Sequence, residues 1–352
     1  MRRMLRTLLL SLLAAAVPCA AQNGVQNADH AARPDPWFST FSIIAFDPAT
    51  NELGVGVQSR AFAAGAAVPY AKPRIGAVAT QASANRLYGP KAIALLEQGL
   101  SPTDVVKKIT DEDPGRDTRQ VAVIDTKGRS AVYTGKRVID RNVDPKDLVH
   151  YGGYAGHVTG RNFSVQGNTL ASEAVATAMA EAYEHGKGSM AERLMDALDA
   201  GQAKGGDMRG MQSAGILVVR PIPQNSESTV ERIVDIRVDD ATNPFTELRR
   251  LLNITLGVPG KLTEQAAQLA KEGRFAEAIA EQQRAIDITP NNERMHYALA
   301  QRYAQAGEYQ HALRPLQTAI GKQPHLKQEA AADPLFVKLK ELAEFKRLVA
   351  ER

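Results

Sequence analysis

The sequence is poor in cysteine: Cys19 is the only one in 352 residues. Cys19 lies in an N-terminal segment built for removal, so the chain that follows can form no disulfide and offers no thiol nucleophile. Long apolar runs are missing too. The only candidate, Leu8 to Val17, is about ten residues long, too short for a permanent membrane span. A surplus of charge is equally lacking. Removing residues 1–21 takes away Arg2, Arg3 and Arg6 and no acid, so Lys+Arg falls from 43 to 40 against 39 Asp+Glu. Nothing in that balance favours a nucleic-acid partner. His150, His157 and His185 have neither HExxH-type spacing nor cysteine partners, so no metal is expected, and no cofactor. Gly54-Val-Gly56 sits inside an apolar run and lacks the strand–loop–helix setting of a phosphate loop. No Ser-His-Asp constellation can be picked out.

What is present begins with the N-terminus. Three arginines, an apolar stretch and Cys19-Ala20-Ala21 have the order of a secretory signal peptide over residues 1–21. Export to the periplasm or the medium is expected, with cleavage after Ala21 and no membrane span once the signal is gone. Lipidation of Cys19 is opposed by Pro18, where a small residue is needed. Residues 22–39 are polar, contain proline and have no period; they read as a flexible leader or as a propeptide ending at Ser39.

The next stretch organises the rest. Thr40-Phe-Ser-Ile-Ile-Ala-Phe46 and Leu53-Gly-Val-Gly-Val-Gln-Ser-Arg60 flank an Asp/Pro/Asn-rich turn, the pattern of two neighbouring strands. Ala61 to Pro69 reads as a loop or buried turn and Arg74 to Gln81 as a third strand. Tyr88–Gln98 has helical spacing and stops at Gly99. Ser101-Pro102 opens a second helix, with serine as cap and proline in the first turn. Gln120–Asp125 and Ala131–Thr134 form a second hairpin. Residues 136–162, rich in glycine, read as the longest loop. A short strand over Phe163–Asn168 leads to helices over Ser172–Glu184 and Met190–Ala200. The Gly-rich segment 205–210, strands over Ala214–Arg220 and Val230–Val238, and a helix over Pro244–Asn253 complete the domain. Strands and helix pairs in this order predict sheet layers covered on their outer faces, not a doubly wound parallel sheet.

Past residue 262 a repeat appears. Ala266, Leu269, Gly273, Phe275, Ala278, Ala285 and Pro290 recur, 34 residues later, as Ala300, Tyr303, Gly307, Tyr309, Ala312, Ala319 and Pro324. That is the tetratricopeptide period: small residues where paired helices touch, glycine and an aromatic at the turn, proline closing the unit. Two repeats need covering, so Asp333–Leu348 is expected to add a capping helix. Gly257-Val-Pro-Gly-Lys261 reads as the joint, dividing residues 40–256 from 262–352.

Thr40-Phe-Ser-Ile-Ile-Ala, Gly76-Ala-Val-Ala-Thr-Gln-Ala82, Tyr88-Gly-Pro90, Asp113-Pro-Gly-Arg116, Arg119-Gln120, Val165-Gln-Gly-Asn168, Gly205-Gly-Asp207, Gln212-Ser-Ala214 and Asp235–Asp240 follow one another in the order of domain-of-unknown-function family 1028. Over residues 40–256 the chain resembles that family, which is grouped with the N-terminal nucleophile (Ntn) hydrolases. The resemblance implies an α+β fold: a four-layer α-β-β-α Ntn-hydrolase-like sandwich, followed here by an all-α tetratricopeptide-like domain. It aligns Thr40 with the position where such domains begin. A threonine at a new chain terminus carries its own α-amine, of pKa near ~8, beside its hydroxyl and can supply both nucleophile and base. Exposure needs a cut between Ser39 and Thr40, and Ser39 stands where Ntn precursors often have glycine.

Candidate partners for Thr40 follow. Lys72, 32 residues on, has the spacing at which proteasome-like members place a lysine; Arg60 is the alternative cation. Gln81, Asn85 and Asn168 offer amide N–H groups for an oxyanion. Asp207 and Arg209 sit in a Gly-rich loop, either bordering a substrate cleft or bracing each other. Two functions remain open on the sequence alone. One is an exported Ntn-type amidohydrolase or peptidase cleaving an amide C–N bond, with the repeats recruiting a protein or peptide. The other is a non-catalytic Ntn-like scaffold that binds proteins through its repeats. Assembly into a homo-oligomer is left open by the sequence.

Overall fold

The computed structural model describes residues 40–140, 153–222, 224, 226 and 229–350. The expected signal peptide and leader lie outside the described residues. Among the described residues ten strands form two antiparallel sheets. In chain order they are β1 (Thr40–Asp47), β2 (Glu52–Ser59), β3 (Pro69–Lys72), β4 (Gly76–Ala82), β5 (Arg119–Asp125), β6 (Ser130–Thr134), β7 (Tyr154–Gly160), β8 (Phe163–Leu170), β9 (Ser213–Val219) and β10 (Arg232–Val238). The larger sheet runs β10-β9-β2-β1-β8-β7 and the smaller β3-β4-β5-β6. The helices of this part are α1 (Ala64–Ala67), α2 (Tyr88–Glu97), α3 (Pro102–Asp111), α4 (Lys136–Asp140), α5 (Glu173–His185), α6 (Met190–Ala203) and α7 (Pro244–Thr255).

The opening hairpin shows why the chain turns where it does. Asp47 Oδ1 accepts a hydrogen bond from Ala49 N–H at 2.9 Å, and Asn51 takes a left-handed φ of 56°, both ordinary turn chemistry for these residue types. The turn pairs Asp47 with Glu52 and so, at the far end of the two strands, Thr40 with Ser59. Alternation along β1 then sorts its side chains. Phe41, Ile43 and Ala45 face a core formed with α5, α6 and α7, whereas Ile44 and Phe46 face the smaller sheet. A third apolar cluster lies between that sheet and α2 and α3. Three cores between four layers make the α-β-β-α sandwich. Small residues on the facing strands (Ala77, Ala79, Ala122) line the layer between the sheets. Gly54 serves the outer packing: a Cβ there would come 2.7 Å from Leu194 Cδ1 of α6.

The second helix starts as its sequence predicts. Ser101 Oγ accepts from Asp104 N–H, and Pro102 occupies the first turn. Elsewhere the elements depart from the sequence reading. Pro69–Lys72 is an edge strand, not the end of a loop, because its backbone pairs with β4 although only four residues are extended. Within 136–162, read as irregular, stand α4 and β7; β7 pairs with β8 through a turn in which Asn162 has φ of 66°. Its glycines hid a strand, and residues 141–152 lie outside the described residues.

The C-terminal part is all helical: α8 (Val258–Lys271), α9 (Phe275–Ile288), α10 (Glu293–Gln305), α11 (Tyr309–Lys322), α12 (Leu326–Ala332) and α13 (Ala343–Val349). The 34-residue period is visible in its hydrogen bonds. Arg274 N–H donates to Leu269 O and Gly273 N–H to Ala270 O; Glu308 and Gly307 repeat this onto Tyr303 and Ala304. Both glycines have left-handed φ, 78° and 77°, the helix stop that glycine adopts most readily. Ala266, Ala278 and Ala285, with their counterparts Ala300, Ala312 and Ala319, are buried where helices touch.

Two expectations about this part are corrected. Val258–Lys261 is the first turn of α8 and not a linker, since Pro259 is tolerated there and only Gly257, with φ of 69°, breaks the path from α7. Asp333–Leu348 is not one capping helix: Asp333 caps a short 3₁₀ turn, a second follows, and α13 closes the segment, seating Phe336, Leu339 and Phe345 in the core of the last repeat. Helix α7 belongs to both parts. Arg249 pairs with Asp196 and Asp199 of α6, while Arg250 donates to Ile288 O of α9 at 2.8 Å. No helix among the described residues is long and apolar enough to cross a membrane.

Candidate functional site

The apolar layer between the sheets turns polar at one end. There β1 presents Thr40 and Ser42 where further along it presents Ile44 and Phe46. Thr40 lies between Ser59 of β2 and Asn168 of β8 in register. Across the layer, β4 and β5 set Gln81 opposite Gln120, and β8 adds Gln166. All of these side chains are buried.

Burial without partners would cost on the order of 1–3 kcal/mol per polar group, and the network answers that by mutual bonding. Ser42 Oγ donates to Gln81 Oε1 at 2.6 Å and accepts from Gln166 Nε2 at 2.6 Å. Gln81 Nε2 and Asn168 Nδ2 both donate to Gln120 Oε1, at 2.8 and 3.0 Å. Gln120 Nε2 donates to Gly167 O at 2.9 Å and to Thr134 Oγ1 at 3.0 Å. Gln81 and Asn168 also reach the main-chain carbonyl of Thr40, at 3.3 and 3.4 Å. The network therefore holds the backbone of Thr40 from the facing sheet and from its own.

The Thr40 side chain points elsewhere. Its Oγ1 lies 3.1 Å from Ser59 Oγ. Thr40 itself is 1% exposed, yet together with Ser59 and Gln81 it lines a cavity of about 100 Å³. Ala61, Ala64, Ala67, Ala82 and Ala84 give that cavity small apolar walls. Phe62, 68% exposed, and Arg86 also line it, and among the described residues no acidic one contributes.

The wall carrying Ala82, Ala84 and Arg86 is a short loop held by the partly buried carboxylate of Asp113. Asp113 Oδ2 accepts from Asn85 Nδ2 at 3.0 Å, Tyr88 Oη at 2.8 Å and Arg119 Nε at 3.2 Å, and Oδ1 from Gly115 N–H at 2.7 Å. Arg119 Nη1 donates onward to Ser83 O, and Leu87 N–H to Asn85 Oδ1. Burial alone would raise the Asp113 carboxyl, but these donors outweigh it and hold it at about 2. A carboxyl held below its unfolded value stabilises fully above about pH 4 and loses that contribution as pH falls toward 2. Urea unfolding should then show Asp113→Asn markedly less stable than wild type at neutral pH, with the gap narrowing in acid. A gap that stays constant down to about pH 2 would contradict this assignment.

The residues singled out in the sequence separate into two groups. Thr40, Gln81 and Asn168 are brought together, but the amide N–H groups of Gln81 and Asn168 are engaged with Thr40 O and Gln120. Lys72 is not at the cavity: it ends edge strand β3, half exposed, and pairs with Glu97 of α2. Asn85 faces Asp113 and takes no part in the lining. Arg60 is exposed and donates to Gln212 Oε1 at 2.7 Å, outside the cavity lining. Asp207 and Arg209 brace each other: Arg209 N–H and Nη2 bond the buried Asp207 carboxylate at 2.9 and 3.1 Å, and Arg60 N–H adds a third donor at 2.9 Å. That loop abuts the ends of β2 and β8 beside Thr40, where Gln212 N–H meets Ser59 O and Met208 N–H meets Thr169 O.

Sequence reasoning missed Ser59, Ser42, Gln120, Gln166 and Arg86 as site residues. Ser59 was within reach, since counting outward from the Asp47–Glu52 turn sets it opposite Thr40. Gln120 and Gln166 stood inside recognised motifs with no role attached. Arg86 had no signal, because only the fold of its loop brings it to the cavity.

The chain matches the model of the family of unknown function DUF1028 over residues 40–248, and that of the TPR repeat over residues 268–307. It is similar to the crystal structure of protein SPO2555 from Silicibacter pomeroyi, a DUF1028 protein. The two share 29% identity at a TM-score of 0.51, over 61% of this chain and 85% of that one. No curated protein matches. The family match begins at Thr40 itself.

Proposed function

This chain belongs to the DUF1028 family, and on that premise we propose that it is an exported amide hydrolase of the Ntn type with Thr40 as nucleophile. The observation that carries the proposal is the geometry of Thr40: its carbonyl is held by two amides, its hydroxyl lies 3.1 Å from Ser59 Oγ, and the residue lines a small cavity. A cut after Ser39 frees the α-amine, which takes the hydroxyl proton as Oγ1 attacks the substrate carbonyl. The same proton passes to the leaving amine as the C–N bond breaks. Water, deprotonated by the amine, then hydrolyses the ester on Thr40 and regenerates the hydroxyl. Ser59 Oγ, 3.1 Å away, can donate to Thr40 Oγ1 and so ease loss of its proton.

The TPR module joined to the DUF1028 domain supports protein binding. We assign it the delivery of a protein or peptide to the sandwich. A second reading has a specific observation in its favour. Gln81 and Asn168 direct their N–H groups to Thr40 O and Gln120, and Lys72 is held by Glu97, so the side chains expected to assist acyl transfer are engaged elsewhere. Under that reading the sandwich is a non-catalytic scaffold and the repeats are the working part. Turnover of small-acyl amides by wild type and by Thr40→Ala decides between the two.

A further inference from the structure

Arg86 combines three features that no other charged residue around the cavity has. Among the described residues it is the one charged side chain lining the cavity that Thr40 and Ser59 also line. It makes no hydrogen bond or ion pair among the described residues. And the loop presenting it is tied down on both sides. Arg119 grips Ser83 O, Thr80 Oγ1 donates to Asn85 O, Asn85 bonds Asp113, and Leu87 N–H closes onto Asn85. Ala82, at the root of the loop, sits at a left-handed φ of 63°, a conformation that a non-glycine residue keeps only where its surroundings impose it. The loop is thus held rigidly while its cation is left without a partner.

The geometry points to Arg86 as the specificity residue of the cavity, receiving the carboxylate of an acidic amide substrate. A guanidinium presents two parallel N–H donors that match a carboxylate, whereas a neutral amide can accept only one of them well. The alanine walls and the volume of about 100 Å³ restrict the rest of the substrate near Thr40 to a compact group. An N-acyl amino acid or a short peptide end with a small side chain and a free carboxylate meets both conditions. The inference rests on the reading of this cavity as the reaction site, and it is tested through binding so that the two can fail separately.

The probes are N-acetyl-L-alanine and its isosteric neutral amide, N-acetyl-L-alaninamide, titrated into the full protein carrying Thr40→Ala so that no turnover intervenes. The acid is expected to bind about tenfold more tightly than the amide. Adding Arg86→Gln should erase that preference, and Arg86→Lys should retain part of it; because Arg86 is exposed, both variants are expected to fold. Equal affinity for the two probes, a preference that survives Arg86→Gln, or no binding of the acid at about 10 mM would each overturn the inference. Acid-selective binding that depends on Arg86, combined with no hydrolysis by wild type, would uphold Arg86 and sink the hydrolase reading alone.

Discussion

Thr40→Ala is expected to lower kcat/KM on a small-acyl amide by at least about a thousandfold, the scale seen when a covalent nucleophile is removed. The residue supplies the attacking oxygen, and once freed it supplies the base as well, so no neighbouring group can take over both roles. Thr40→Ser keeps a hydroxyl opposite Ser59 and should retain a measurable fraction of the rate. The substitution to alanine should leave the fold in place. Among the described residues Thr40 Oγ1 bonds only to Ser59 Oγ, while the amides of Gln81 and Asn168 hold the main-chain carbonyl, which alanine keeps. Binding through the TPR module should likewise be unchanged. Equal rates for wild type and Thr40→Ala, with identical protein quality by circular dichroism, would remove Thr40 from the chemistry.

The second large effect concerns stability. Gln120→Leu should destabilise the protein by roughly 3 kcal/mol or more, because it strips partners from several buried groups at once. Gln120 Oε1 is the shared acceptor of Gln81 and Asn168, and its Nε2 satisfies Gly167 O. Leucine nearly matches glutamine in size, so the loss reports on polar satisfaction and not on a cavity. For a folded unit of about 150–250 residues, the size class of residues 40–256, that corresponds to a fall in Tm of about 6–12 °C. Thr134→Val, which removes the partly exposed end of the same network, should cost about 1 kcal/mol or less. A Gln120→Leu protein that melts within about 2 °C of wild type would mean the buried amides contribute little to holding the sheets together.

The architecture was legible where local chemistry and tertiary packing agree. The apolar run Thr40–Phe46, the Asp47–Glu52 turn, the Ser101 cap and the 34-residue spacing each state one structural fact, and each is realised. Legibility failed where glycine and proline mark something other than a break. The glycines of β7 lie in a strand that β8 pairs along its length, and Pro259 opens a helix. At the site, residue type and sequence spacing were poor guides. Lys72 stands 32 residues from Thr40 but at the edge of the other sheet, where Glu97 holds it. Gln81 and Asn168 reach Thr40 as expected, though at its carbonyl. Arg86 reaches the cavity only because Asp113, 27 residues further on, anchors its loop. Pairings of that range are set by the fold as a whole and leave no local trace.

The central claim is that Thr40 becomes a chain terminus, and the most direct measurement is the intact mass with the N-terminal sequence of the protein recovered from the exported fraction. The account predicts a chain that begins at Thr40, its α-amine free beside Oγ1. A chain that begins at Gln22 would contradict it, since the nitrogen of Thr40 would then be an amide and could not act as a base.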